Sequence, residues 1–345
     1  MKALAILTVK NEGAFLLEWL AHHRAVGFDD FLVYSNDCSD GTDLMLDRLA
    51  AMGWLTHVRN DGPHPQGPQW AALKAADRHP AKAAADWVLF IDIDEFVNIH
   101  AGGRRLPDLL AALPDATAIA LTWRMFGNAG VVDFVDQPIT AQFTRCAPAD
   151  LRWPWRASLI KTLFRNDGSY ARLGVHRPRK PDPDRIAAQV WYDGAGRRLP
   201  AEFHQGRIFT PPGSAPYDLA QLNHYALGSA ESYLVKADRG RANRDSSTFD
   251  MSYWVDRNFC DIEDRSILAL DSSALCAELR ADPVLGALHR QAVLWRQSRF
   301  AALMAEEPWR ALFARLLLAP PSRPLSPAAL ARLMRHAVPS PARSG

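Results

Sequence analysis

Three carboxylates fall within four positions in the stretch Trp87-Val-Leu-Phe-Ile-Asp-Ile-Asp-Glu-Phe96, where Asp92, Asp94 and Glu95 follow a run fit for a buried strand. Ionised carboxylates are costly to remove from water, so these three need solvent, hydrogen bonds or a cation. In an extended chain alternate side chains share a side, which sends Asp92 and Asp94 one way and Glu95 the other. Two hard oxygen donors on one side suit Mg²⁺ or Mn²⁺, with the oxygens of a bound diphosphate completing the shell. Acids at a strand end also serve simply to solvate a loop, so the surrounding elements decide between the two readings.

Those elements alternate regularly. Residues 3–9 form a continuous apolar strand, and 13–27 follow with Phe15, Leu16, Trp19, Leu20 and His23 on one helical face before Gly27 closes the helix. A second strand at 30–36 leads through the turn 37–42 into a helix over 42–53, with Leu46, Leu49 and Met52 toward the sheet. A third strand at 54–60, a helix at 68–79 and a fourth strand at 87–91 repeat the unit. Strands apolar throughout, rather than alternating, predict a mostly parallel sheet covered on both faces and hence an open α/β fold. Such folds bind ligands at the carboxyl ends of their strands. That edge would gather Thr8, Lys10, Asn11 and Glu12, then Ser35, Asn36 and Asp37, then Asp92, Asp94 and Glu95.

Composition narrows the function classes. The chain has 345 residues, 48% of them hydrophobic, enough for a large core. Lys+Arg at 40 against Asp+Glu at 38 leaves a formal charge of +2, with no broad basic face for nucleic acid. Cys38, Cys146, Cys260 and Cys276 are far apart and form no CxxC pair, so neither a zinc site nor a disulfide framework is indicated. The stretch TVKNEGAF has no GxGxxG spacing and the chain has no GxxxxGK[ST], which argues against a dinucleotide cofactor and a P-loop. Without such loops, phosphate charge would be met mainly by a cation. The apolar run Ala3 to Val9 lacks a small-residue cleavage site and no later segment reaches spanning length, so the expected location is the cytoplasm.

The segments KNEGAFLLEWLAHHRAVGFDDFLVYSNDCSDGT and DWVLFIDIDEF resemble the start of the GT-A glycosyltransferases of the family 2 type, in the branch carrying D-x-D-E-F. The likeness continues through WRMFGNAG (123–130), KTLFR (161–165), VHRP (175–178) and NHYALGSAESYLVKADRG (223–240), covering roughly residues 1 to 245. The resemblance implies a GT-A fold and transfer of a sugar from a nucleotide-sugar donor to a glycan or lipid-linked acceptor, with Mn²⁺ or Mg²⁺ and with inversion at the anomeric carbon. It matches Thr8, Asn11 and Glu12 to the first nucleotide-facing loop and Asp94 to the metal-binding acid, with Asp92 toward ribose or the metal. Asn36 and Asp37 fall in the second loop, where Ser35-Asn36 departs from the usual Asp-Asn or Asp-Asp. Asp40 and Thr42 match the later part of that loop, where an Asx turn and a helix cap account for them equally well. Gln69 opens the third helix where the family has a polar residue. The resemblance also brings a late histidine to the metal, His224 with His176 as its rival.

A transferase needs a base for the acceptor hydroxyl, and the candidates are Asp133, which with Asp136 opens an acceptor loop, and Glu95. Lys236 and Arg239 lie three apart on a predicted helix and so share a face suited to diphosphate oxygens. Trp19, Trp54 and Trp87 read as packing, whereas Trp153 and Trp155 in RWPWR sit in a loop where they could pack or stack on sugar. The expected organisation is a catalytic domain over 1–261, its nucleotide-sugar part about 1–100 and its acceptor part about 101–261. A helical extension over 262–320 and a tail over 321–345 with a short helix from about Pro327 to His336 follow. Residues 287–318 should pack on the catalytic domain or another subunit, with peripheral contact at the inner face of a membrane as the alternative. Two other function classes stay open: a sugar-nucleotide-forming nucleotidyltransferase, which should show a Gly-rich basic first loop, and a non-catalytic nucleotide-sugar binder.

Overall fold

The computed structural model describes residues 1–240 and 250–335. Its first strands and helices stand where hydrophobic periodicity puts them. Strands β1 (Ala3–Val9), β2 (Asp30–Ser35), β3 (Thr56–Arg59) and β4 (Trp87–Phe90) alternate with helices α1 (Gly13–Val26), α2 (Thr42–Ala51) and α3 (Pro68–Ala76). Gly27 ends α1 at φ 109°, a left-handed conformation that a side chain would resist.

The sheet then changes character. Strands β5 (Glu95–Ile99) and β6 (Ala118–Met125) are followed by strands Ile160–Arg165, Trp191–Asp193 and Ala220–His224. The order across the nine-stranded sheet is β3-β2-β1-β4, then Ile160–Arg165, β6, Ala220–His224 and β5, with Trp191–Asp193 also on β6. Pairings among β1 to β4 are parallel, Ile160–Arg165 runs antiparallel between β4 and β6, and Ala220–His224 is parallel to β6 and antiparallel to β5. The sheet is thus open, mixed and mostly parallel, as the sequence predicts.

Burial on both faces explains the uninterrupted apolar strands. Along β1, Ala3, Ala5, Leu7 and Val9 join one core with α1, α2 and residues as late as Ala292, while Leu4 and Ile6 join a second core with Ala72 and Leu73 of α3. Each fully buried Leu or Ile of this kind contributes roughly 1.5–3 kcal/mol.

The later segment is helical. Residues 287–318 fall in two helices, Pro283–Leu303 and Glu307–Leu318, separated by residues 304–306 and preceded by helix Ser273–Ala281. They pack on α1, α2 and helix Ala230–Arg239. A short helix follows at Pro327–Met334, and the end of the tail, His336 included, lies outside the described residues. Among the described residues no helix is long and apolar enough to cross a membrane. The RWPWR loop ends in a short turn at Trp155–Ser158, where Trp155 is 45% exposed and meets Phe209 edge-on at 4.8 Å.

Candidate functional site

The acid cluster is a turn rather than the end of an extended strand. Strand β4 stops at Phe90, and the Glu95 N–H donates to the Asp92 carbonyl at 3.1 Å. The Trp19 indole of α1 donates to the carbonyls of Asp92 and Glu95, at 3.2 and 3.1 Å, and so pins the turn from below. The turn replaces the period of two expected for an extended chain, so the directions of Asp92 and Asp94 are set by the turn and by the partners each one finds.

Each acid instead has its own ammonium. Asp92 Oδ2 accepts from Lys161 Nζ at 2.8 Å and its Oδ1 from the Gln69 amide at 3.2 Å. Lys161 comes from strand Ile160–Arg165 and has no exposed surface, whereas the Asp92 side chain keeps 32% of its own. Burial by itself would lower the Lys161 pKa, but Asp92 and Glu95 raise it, so the ammonium stays charged. Asp94 Oδ2 accepts from Lys236 Nζ at 2.6 Å and stands 3.6 Å from His224 Nε2. Burial would raise the Asp94 pKa, yet the Lys236 ammonium, with a smaller part from His224, holds it well below the usual carboxylate range.

His224 reaches the turn because its strand pairs with β5 in the register His224 to Glu95, and the Tyr225 N–H donates to the Asp94 carbonyl at 2.8 Å. Its ring lies on Trp123 with centroids 4.2 Å apart, and burial lowers its pKa, which keeps the imidazole neutral. Its Nδ1 is buried without a hydrogen-bond partner. His176 stands on the other side of Trp123 and uses Nδ1 on the Ile160 carbonyl at 3.0 Å, which leaves Nε2 as its acceptor.

Glu95 is fully buried and does not face the crevice. Its Oε1 accepts from the Trp123 indole at 2.6 Å and its Oε2 from the Asp92 N–H at 2.9 Å, with Lys161 Nζ at 3.6 Å. Burial pushes its pKa up to about 8; Lys161 works against that rise, and Asp92 and Asp94 add to it. Trp123 and Lys161 were not singled out in the sequence, although a lysine inside the apolar run of KTLFR was a readable signal.

The loop after β1 closes the site from the opposite side. Asn11, at φ 53°, exchanges hydrogen bonds with Ser39, while Glu12 is 4% exposed and bonds Arg239 Nη1 at 2.5 Å. Arg239 Nη1 also donates to the Lys10 carbonyl at 2.6 Å, so Lys236 and Arg239 do turn one helical face to the ends of β1 and β4. Thr8 lies on β1 opposite Tyr34. Arg296 of helix Pro283–Leu303 approaches Glu12 at 3.6 Å, a contact that no local pattern announces.

The other expected residues have these surroundings. Asn36 is 1% exposed, with its amide on the Val9 carbonyl at 3.1 Å and its oxygen on Asn60 at 2.5 Å, because it ties the ends of β1 and β3 together. Asp37 is exposed and accepts from the Gly62 N–H at 3.0 Å. Asp40 caps α1 through the Gly13 N–H and bonds Thr42 at both its N–H and its hydroxyl. Asp136 is clamped by Arg280 and His289, and Asp133 is exposed on the same loop. A cavity of about 40 Å³ lies between that loop and the acids, lined by Glu12, Asp94, Lys236 and Arg296 and by apolar groups including Phe134 and Phe15.

Among the described residues no three His, Cys, Asp or Glu side chains converge as a metal site. The donor chemistry nevertheless suits a hard divalent ion at Asp94 and His224, one ionised and one neutral, 3.6 Å apart. Asp92, the other acid expected toward the ribose or the metal, has Lys161 and Gln69 on its two oxygens and keeps 32% of its side chain exposed.

Comparison with known proteins puts a family to this geometry. A glycosyltransferase family 92 protein of Ricinus communis is 26% identical over 148 residues, covering 39% of this chain and 25% of the relative. One from Oryza sativa subsp. japonica is 26% identical over 139 residues, covering 39% of this chain and 23% of the relative. The chain spans about a quarter of the length of these relatives. Among solved structures, S. aureus TarS 1-349 aligns with a TM-score of 0.35 at 14% identity, over 68% of this chain and 63% of that one. Glucosyl-3-phosphoglycerate synthase from Mycobacterium tuberculosis in complex with phosphoglyceric acid aligns at 0.31 and 18% identity, over 59% and 74%. The fold assignment rests on the sheet order of the chain itself. The sequence resemblance pointed to the family 2 type, whereas the family model that matches, over residues 8–192 and so more than half of the chain, is that of glycosyltransferase family 92, to which the chain belongs.

Proposed function

We propose that the chain transfers a sugar from a nucleotide-sugar donor to a hydroxyl of a glycan or lipid-linked acceptor, with inversion. The observation that carries this reading is the gathering of Asp94, His224, Lys236, Arg239 and Glu12 at the carboxyl edge of an α/β sheet in a family 92 chain. The nucleotide lies along Thr8, Asn11, Glu12 and Asp37, with Asp92, oriented by Gln69, toward the ribose. In the transfer, the acceptor oxygen bonds to the anomeric carbon while the bond from that carbon to the diphosphate oxygen breaks, and the diphosphate leaves with the electron pair. Lys236 and Arg239 meet the charge that develops there. The exposed Asp133 takes the acceptor proton, because Glu95 has both oxygens engaged inside the protein.

Asp94 and His224 would hold Mn²⁺ or Mg²⁺, which supplies Lewis-acid stabilisation of the leaving diphosphate when bound. A second reading, donor binding without metal, is favoured by the Lys236 ammonium that already sits on Asp94 Oδ2. A thermal-shift panel of nucleoside diphosphates and nucleotide sugars, with and without Mn²⁺, tests both. Ligand at a hundred times its dissociation constant stabilises by about 2.7 kcal/mol. No shift with any member overturns the donor reading, and shifts that ignore Mn²⁺ favour the metal-free form.

A further inference from the structure

Helix Pro283–Leu303 lies beyond the stretch matched to the family, yet it is seated on the loop that opens the donor crevice. A Cβ on Gly13, the first residue of α1, would meet the Ala292 Cβ at 2.8 Å, so the close approach of this helix depends on a glycine there. One turn further along, Arg296 is 5% exposed, donates through Nε to the Ser232 hydroxyl at 3.1 Å and through Nη2 to the Ser232 carbonyl at 3.2 Å. Its guanidinium lies over the Phe15 ring at 4.5 Å and the Phe134 ring at 5.6 Å. The remaining nitrogen, Nη1, points to Glu12 at 3.6 Å, and Glu12 bonds Arg239 in turn.

This arrangement joins four elements at one guanidinium. Phe15 belongs to α1, Phe134 to the acceptor loop, Ser232 to helix Ala230–Arg239 and Arg296 to the C-terminal helix. Burial lowers the Arg296 pKa to about 10, with Glu12 working against that fall, so the guanidinium stays charged at neutral pH. Ser232 holds two nitrogens of this guanidinium in place, so the charge at Nη1, 3.6 Å from Glu12, acts on that carboxylate from a fixed point.

We infer that Arg296 is a positioning residue of the donor site, acting through Glu12 to hold Arg239 and the loop after β1 in the form that receives a diphosphate. The inference rests on the donor reading above and adds that the C-terminal helices are part of the binding site rather than an appendage to it. Arg239 is then set from two sides, by the Lys10 carbonyl and by a Glu12 that Arg296 keeps from turning away.

A double-mutant cycle on the full chain tests this, with UDP and GDP titrated calorimetrically in the presence of MnCl₂. Arg296→Met and Glu12→Gln should each weaken binding by about tenfold, and the double variant should be no weaker than the worse single one, since both remove one coupled unit. Arg296→Lys should restore part of the loss, because an ammonium keeps the charge without the fork. A purely architectural Arg296 predicts otherwise: a lower melting temperature with unchanged affinity, or losses that multiply in the double variant, and either result overturns the inference. Should Arg296→Met fail to fold, the cycle runs with Arg296→Lys, where unchanged affinity or multiplying losses overturn the inference in the same way. Wild type that binds neither these two nor any other member of the nucleotide panel overturns the donor reading itself, whereas binding by wild type and variants alike overturns only the role of Arg296.

Discussion

Asp92 and Asp94 stand two residues apart on one turn, and each bonds a lysine, but the two pairs are built differently. Lys161 arises from a central strand, has no exposed surface and touches Glu95 as well as Asp92. Lys236 arises from a helix at the rim of the crevice, and its partner Asp94 borders the cavity. In the first pair the lysine is buried and the acid is 32% exposed; in the second the lysine is 11% and the acid 19% exposed. The difference teaches that two acids of one D-x-D motif can meet cations of different origin, one from a central strand and one from a helix at the sheet edge.

The largest effect should come from breaking the inner pair. Lys161→Met leaves the Asp92 carboxylate without its cation, and loss of one partner of a buried pair costs up to roughly 3–5 kcal/mol. Urea denaturation should show that loss, and a change below about 1 kcal/mol would erase the distinction between the pairs.

A pH effect of intermediate size belongs to the same region. Glu95 has its pKa pushed up to about 8 from an ordinary value near 4.5, by burial first. The folded state therefore binds the extra proton between those values, and this contribution to stability is complete below the lower one and lost as pH rises through the upper. Stability should decline by roughly 3–4 kcal/mol between pH 5 and 8 through this group, and Glu95→Gln should remove that part of the slope. The readout is the difference between the two stability curves; parallel curves would show that Glu95 carries no such proton.

The outer pair should respond in binding rather than in folding. Asp94→Asn keeps the size of the side chain and removes the charge, so the variant should fold while its Mn²⁺-enhanced nucleotide affinity falls at least about tenfold, or 1.4 kcal/mol. Titration calorimetry showing the wild-type enhancement would withdraw Asp94 from the metal. The smallest effect is expected at Asp238 and Arg299, an ion pair on the outside of the helix that carries Lys236, where the arginine is 40% exposed. Asp238→Ala should change stability by less than about 1 kcal/mol, and a larger loss would show that the helix itself is only marginally anchored.

Much of the first half of the fold was legible from local pattern. Strand β1 was bounded as observed because six apolar residues and Thr8 between Lys2 and Lys10 give a run covered on both faces. Helix α1 was legible because its apolar face and Gly27 give a period and a stop. At the site, Lys236 and Arg239 share their helix face as spacing required, and His224 lies 3.6 Å from Asp94. Asn36 was not decidable, because a polar residue at a strand end looks the same in sequence whether it faces a ligand or bridges two strands. In this chain the Val9 carbonyl and Asn60 take both ends of its amide.

By itself, then, the sequence determined the alternating βα units, the edge at which polar residues collect and the acids that mark it, because these follow from periods of two and 3.6 within single elements. Tertiary structure decided which charge meets which. Lys161 is 69 residues from Asp92 and Lys236 is 142 from Asp94, so their pairing depends on an antiparallel strand inserted beside β4 and on a helix laid across the sheet edge. The turn at Asp92 to Glu95 likewise follows from the Trp19 indole reaching across from α1. Arg296 depends on three helices packing around one glycine, and contacts of that range are fixed by the packing of the whole core, which no window of neighbouring residues contains.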